Sequence, residues 1–168
     1  CNQRQIVKSR TIVIPGSGVN LIQHKLEPYP VNNGELVFLV IGRIMRDKGI
    51  DELLYAAERI KKEYPWVIFK LIGSYDEGYQ HKVNEAENKG FIEFLGQQDD
   101  VHSFIKNSHA TISASYHEGM SNVLQETAAA GRPVIATDVP GSIETFEPYI
   151  SGIPFKSHDA DDLVRALK

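Results

Sequence analysis

The 168 residues fit one globular domain, and 42% hydrophobic with 24% charged residues is ordinary for a soluble one. Eighteen basic against 22 acidic residues leave a formal charge of −4, which argues against nucleic acid as a general partner. The single cysteine, Cys1, excludes an internal disulfide and fits a reducing compartment, and no apolar run approaches the roughly 20 residues that cross a bilayer.

In chain order, Thr11–Pro15 reads as a short strand ending in the glycine turn Gly16-Ser17-Gly18. Residues 19–35 are polar and irregular, with Pro28, Pro30 and Asn33-Gly34 marking turns. Leu36–Ile41 is an unbroken apolar run, the pattern of a strand covered on both faces. Ile50, Leu53, Leu54, Ala57, Ile60 and Tyr64 recur at helical spacing, and Pro65 closes that helix.

Val67–Ile72 predicts the next strand, followed by a polar helix from about Glu77 to Lys89. Phe91–Leu95 is strand-like, Asp99 or Asp100 caps a short helix through Asn107, and Ala110–Ala114 is another strand. A helix over Asn122–Ala130 ends at Gly131, Pro133 opens the strand Val134–Thr137, and a short strand is expected near Ile153-Pro154-Phe155. Asp159–Lys168 reads as a last helix.

Strands separated by helices imply βαβ units. The expected fold is α/β, a Rossmann-like three-layer domain with a mainly parallel sheet and helices on both faces. The chain opens on Cys1 and stops inside a helical stretch, so residues 1–168 read as an excised domain of a longer protein. No signal peptide is visible at the start, and the expected location is cytoplasmic.

Three segments carry chemistry, each just after a strand, where open α/β sheets bind ligands. In Gly42-Arg43-Ile44-Met45-Arg46-Asp47-Lys48-Gly49, Arg43 offers a planar fork of donors and Lys48 a mobile charge, a set suited to a diphosphate. The plain alternative is a solvated loop whose Lys48 pairs with Asp47 or Asp51. In Tyr116–Glu126, Glu118 lies in the loop and Glu126 in the first turns of the next helix. Carboxylates accept hydrogen bonds from hydroxyls, and the helix N-terminus attracts phosphate, so this pair suits a sugar joined to a phosphate. Asn122 is expected to cap that helix, with Gln125 reaching back. Either glutamate read alone is equally a solvated or structural side chain. Ala136–Glu144, with its Pro140-Gly141 pair, allows close approach of backbone or is a simple turn.

His24, His81, His102, His109, His117 and His158 are scattered and show no metal-ligand spacing, so no metal site is expected. Ser115 and Ser121 lack a nucleophile-elbow pattern. Tyr29, Tyr55, Tyr64 and Trp66 are read as packing residues.

Together these segments resemble the C-terminal domain of family 4 glycosyltransferases, retaining enzymes of GT-B architecture, from about Ile12 to Leu167. The carrying motifs are the Gly42–Gly49 loop, Glu118 and Glu126 as E-x7-E, Ala129–Thr137, and the turn Ile14–Asn20, where Asn20 stands for a common aspartate. Gly73–Gly78 replaces the family's compact G-x-G-P turn. The resemblance implies a nucleotide-diphospho-sugar donor, with UDP expected, and no cofactor or metal. It gives Arg43 and Lys48 the diphosphate, Glu118 the transferred sugar and Glu126 the ribose. Gly119, Met120, Ser121 and Asn122 then approach sugar and phosphate, Gly16 a phosphate, and the Gly96–Gln98 loop the base. Glu118, Arg43 and Lys48 are the implied catalytic residues.

The expected function is retaining transfer of a hexose or N-acetylhexosamine to a glycan or lipid-linked acceptor in surface polysaccharide synthesis. The acceptor is expected on a domain outside this sequence, and peripheral membrane association of the longer protein is compatible with it. A GT-B-fold nucleotide-sugar epimerase and a non-catalytic nucleotide-binding module are the alternatives.

Overall fold

The computed structural model describes residue 14 and residues 16–31, 33–76 and 78–168. The strand expected over Thr11–Pro15 lies outside them except for Ile14, which has no regular structure. The strands are β1 Leu36–Ile41, β2 Val67–Ile72, β3 Glu93–Phe94, β4 Ala110–Ser113, β5 Val134–Thr137 and β6 Gly152–Phe155. They form one sheet in the order β3-β2-β1-β4-β5-β6, and every pairing is parallel. The helices are α1 Ile50–Glu63, α2 Tyr79–Asn88, α3 His102–Lys106, α4 Asn122–Ala129 and α5 Ala160–Leu167.

The apolar run of β1 forms a strand because both of its faces are covered. Phe38 and Val40 pack with Ile50, Leu53, Ala57 and Ile60 of α1, with Val83 of α2 and with Leu163 of α5. Leu39 points the other way and packs with Ile105 of α3. Strand β5 repeats the alternation, with Ile135 in the first cluster and Val134 and Ala136 against Leu124 of α4. Helices α1, α2 and α5 therefore cover one face, and α3 and α4 the other. Each fully buried Leu or Phe contributes about 1.5–3 kcal/mol, so Leu39 at 1% and Phe69 at 0% exposure anchor the layers.

Some boundaries differ from expectation. Helix α2 begins at Tyr79, because Gly78 adopts the left-handed region at its N-cap. Strand β3 is shorter than Phe91–Leu95: Glu93 and Phe94 pair in register with β2, and the Leu95 N–H makes one further bond to the Leu71 carbonyl. At the start of α3 the carboxylate of Asp100, not Asp99, accepts from the His102 and Ser103 amides. Trp66, read as a packing residue, is 53% exposed, although its ring meets Tyr64 edge-on.

Helix α1 begins immediately after Gly49, which has φ 65°. A Cβ there would fall 2.1 Å from the Ala114 carbonyl oxygen, so only glycine lets the loop after β1 pass this close to the end of β4.

Arg132 is 3% exposed and fastens residues 27–28 to the C-terminal ends of α3 and α4. Its guanidinium donates to the carbonyls of Glu27, Ala130, Pro28 and Lys106 at 2.5–3.1 Å and lies over the Tyr29 ring. No lysine can reproduce that planar fork. Arg132→Lys is expected to cost about 2–4 kcal/mol, read as a lowered urea midpoint at unchanged m-value. A loss below about 1 kcal/mol would show the carbonyl cage to be unimportant.

Candidate functional site

In a parallel sheet all strands point their carboxyl ends to one edge. Along this sheet the chain runs outward from β1 through β2 to β3, then returns to β4 on the other side of β1. The order reverses between β1 and β4, and the loops leaving those strands part there and open a crevice. Residues 42–49 and 114–121 form its two walls.

The first wall is held by backbone. Ile44, fully buried, donates its N–H to the Ser74 carbonyl and accepts from the Asp76 amide, clipping the loop to the segment after β2. Asp47 presents its carbonyl to the Tyr116 N–H at 2.8 Å, clipping it to the second wall. Ser74 and Asp76, in the segment that departs from the compact turn, thus serve as a brace here.

The second wall is fixed as firmly. Thr137 Oγ1 donates to the Ser115 carbonyl at 2.6 Å. The Tyr116 hydroxyl donates to both Glu52 carboxylate oxygens, at 2.8 and 2.9 Å. Burial first, and then that carboxylate, push the phenol up to about 12, so it remains a donor at neutral pH. Gly141, with φ 79°, lies against the loop, and its carbonyl takes the Ser121 N–H at 3.0 Å.

Between these walls Lys48 Nζ meets Glu118 Oε1 at 2.6 Å, with side chains 31% and 17% exposed. The partner is neither Asp47 nor Asp51. Asp51 instead binds Lys82 and the Tyr79 hydroxyl; burial raises its carboxyl, but those hydrogen bonds outweigh burial and hold it below the usual range. Arg43 and Arg46 are exposed and have no ion-pair partner among the described residues. Lys48 and Glu118 neutralise each other, so the two guanidiniums leave this wall positive.

Ser121, not Asn122, caps α4: it is extended, and its hydroxyl accepts from the Leu124 amide at 3.4 Å. The Gly141 carbonyl fixes the Ser121 backbone and so decides between two adjacent residues able to cap. Asn122 accepts from Ser17 Oγ at 3.2 Å, and Gly16 stands against Met120, so the turn at 16–18 rests on the start of α4. Gln125 does not reach back; its side-chain amide nitrogen is buried without a partner. Gly119 is exposed. The Gln98 amide folds onto the Leu95 carbonyl at 2.6 Å, in the loop after β3.

Glu126 lies one turn further along α4, 22% exposed, with its Oε1 3.9 Å from His24 Nε2. The structure brings Lys48 to Glu118, and Gly16 and Asn122 to one helix start. Sequence reasoning missed His24, His102 and Glu27, which gather beside Glu126. Their spacing carries no signal, because two segments far apart in sequence supply them. Among the described residues no three His, Cys, Asp or Glu side chains form a group able to hold a metal ion.

Residues 22–168 match the family described as Glycosyl transferases group 1. The chain belongs to this family. Similar proteins include the N,N'-diacetylbacillosaminyl-diphospho-undecaprenol alpha-1,3-N-acetylgalactosaminyltransferase of Campylobacter jejuni, 28% identical over 76% of this chain and 33% of that protein. The lipopolysaccharide core biosynthesis glycosyltransferase LpsE of Rhizobium meliloti is 29% identical over 79% of this chain and 38% of its own length. The chain thus spans 33% and 38% of these relatives.

Among solved structures, Anabaena HepE in complex with UDP superposes with a TM-score of 0.76 at 19% identity, covering 88% of this chain and 44% of that one. Sucrose-phosphate synthase from Thermosynechococcus elongatus gives 0.75 at 27% identity, covering 91% and 41%. The Rossmann-like α/β fold expected from the sequence is the fold found.

Glycine at 141 is a geometric requirement of this crevice. A Cβ there would lie 1.9 Å from the Gly119 carbonyl oxygen, in a backbone conformation L-residues rarely adopt. Gly141→Ala is expected to cost at least about 2 kcal/mol, measured by chemical denaturation, since strain and backbone clash add. An unchanged midpoint would mean that the two loops separate freely.

Proposed function

We propose that this chain is the donor-binding half of a retaining family 4 glycosyltransferase of GT-B architecture. It takes a nucleotide-diphospho-sugar, with UDP as the nucleotide, and its enzyme passes a hexose or N-acetylhexosamine to a glycan or lipid-linked acceptor. The acceptor is held by a domain beyond this sequence. The observation that carries the reading is the Lys48–Glu118 contact at 2.6 Å across the switch point. An ammonium and a carboxylate that close meet a phosphate and a neighbouring sugar hydroxyl of one ligand together.

In this reading Arg43 and Lys48 hold the diphosphate. Glu118 accepts from hydroxyls of the transferred sugar and Glu126 from the ribose. The backbone of Gly119, Met120, Ser121 and Asn122 approaches sugar and phosphate, beside Gly16, and Gln98 lies towards the base. As the glycosidic bond to phosphate breaks, negative charge grows on the departing diphosphate. Arg43, Lys48 and the positive end of α4 stabilise that charge in place, without a metal or other cofactor.

Two further observations support the reading: a structure of similar fold contains UDP, and a relative's name places its acceptor on diphospho-undecaprenol. The full-length enzyme then works in the cytoplasm, against a membrane face where lipid-linked acceptors are presented. Among the described residues no helix is long and apolar enough to cross a membrane.

Titrating the chain with UDP, GDP and ADP tests the donor site, with UDP expected to bind best. Lys48→Ala is expected to weaken UDP about tenfold, the size of one hydrogen bond to a charged group. Its stability should change by no more than about 1 kcal/mol, because the Lys48–Glu118 pair is partly solvated. Absence of binding by all three nucleotides at millimolar concentration would overturn the assignment.

A further inference from the structure

Beside Glu126 lies a cluster of charged and imidazole side chains that the donor reading leaves unused. His24 is 6% exposed and belongs to the turn after Asn20, whose side chain accepts from the Ile22 and Gln23 amides and turns the chain inward. Its ring meets His102 edge-on at 5.4 Å. His102 Nε2 lies 3.3 Å from Glu27 Oε1, and Lys106 Nζ lies 3.3 Å from Glu27 Oε2. The His102 hydrogen bond, and then Lys106, hold the Glu27 carboxyl below its usual range against the opposing effect of burial. An ionised carboxylate only accepts, so His102 carries its proton on Nε2.

His24 also sits beside a carboxylate. Its Nε2 faces the Glu126 carboxylate at 3.9 Å, in electrostatic contact and about 1 Å short of a hydrogen bond. Its other nitrogen, Nδ1, is buried without a partner. A buried, unpaired polar atom is unfavourable, and an apolar ring against His102 would avoid that cost. For packing alone an imidazole is therefore a poor occupant. What it offers that a phenyl ring lacks is a polar nitrogen facing Glu126.

We infer that His24 is a positioning residue: it holds the Glu126 carboxylate in the orientation that accepts the donor's ribose hydroxyls. A carboxylate has room for about four hydrogen bonds, so the contact with His24 leaves Glu126 able to receive a ribose diol. His24 itself touches neither sugar nor phosphate. The inference rests on the proposal that Glu126 meets the ribose, and it extends that contact to a residue in the segment preceding β1.

Calorimetric titration of the chain with UDP and with 2′,3′-dideoxyuridine diphosphate, which lacks the ribose hydroxyls, separates the possibilities. Wild type is expected to prefer UDP. His24→Phe should weaken UDP about fivefold, leave the dideoxy ligand within about twofold, and keep or raise the melting temperature. His24→Gln, which restores a donor, should bring UDP affinity back to within about twofold. His24→Phe added to Glu126→Gln should weaken UDP no further than Glu126→Gln alone. Equal weakening of both ligands, no weakening of UDP, or additivity with Glu126→Gln overturns the role of His24 while the donor site stands. Equal binding of the two ligands by wild type removes the ribose contact and this inference with it, leaving the diphosphate assignment intact. Failure of wild type to bind either ligand instead refutes the donor site itself.

Discussion

Strand β1 is paired along both edges, to β2 and to β4, and covered on both faces by helices. That confinement fixes the rest of the molecule. Because β1 cannot shift without dislodging two neighbours and two helical layers, the loop leaving it starts from a fixed point. The loop leaving β4 starts beside it, and the chain reverses direction around the gap between them. Glu118 and Lys48 meet there, although they lie 70 residues apart in sequence. Backbone clips from Asp47 to Tyr116 and from Ser121 to Gly141 then turn two mobile-looking loops into rigid walls. A site built this way places its charges without relying on the side chains to find one another.

Most of the fold was legible because apolar runs and helical spacing dominate it. The limits of β1, β2 and β5 are those expected from their largely apolar stretches, and α1 stops where Pro65 demands it. Legibility failed where a tertiary contact decides. Two adjacent residues, Ser121 and Asn122, can each cap α4, and only the Gly141 carbonyl selects between them. Strand β3 is in register with β2 at Glu93 and Phe94 alone, something no property of Phe91–Leu95 announces.

The site divides in the same way. Its acidic and basic groups were found because they follow strands and carry recognisable spacing. Their direct contact was not, since the lysine's nearest carboxylates in sequence are Asp47 and Asp51. Glu27, His24 and His102 left no trace at all. They come from a connecting segment and from α3, and what unites them is the Arg132 cage that presses residues 27 and 28 onto the end of α4. A buried arginine serving only carbonyl oxygens has no sequence signature that separates it from a phosphate-binding one.

The closeness of Lys48 to Glu118 bears on how the molecule senses its ionic surroundings. An arriving anion must compete with an anion already attached to the chain, and dissolved salt weakens both of these attractions at once. The two effects partly cancel. Affinity for a charged ligand then declines with ionic strength less steeply than three neighbouring cations in open water would dictate. The internal carboxylate acts as a tethered counterion, and it buffers the crevice against changes in the medium around it.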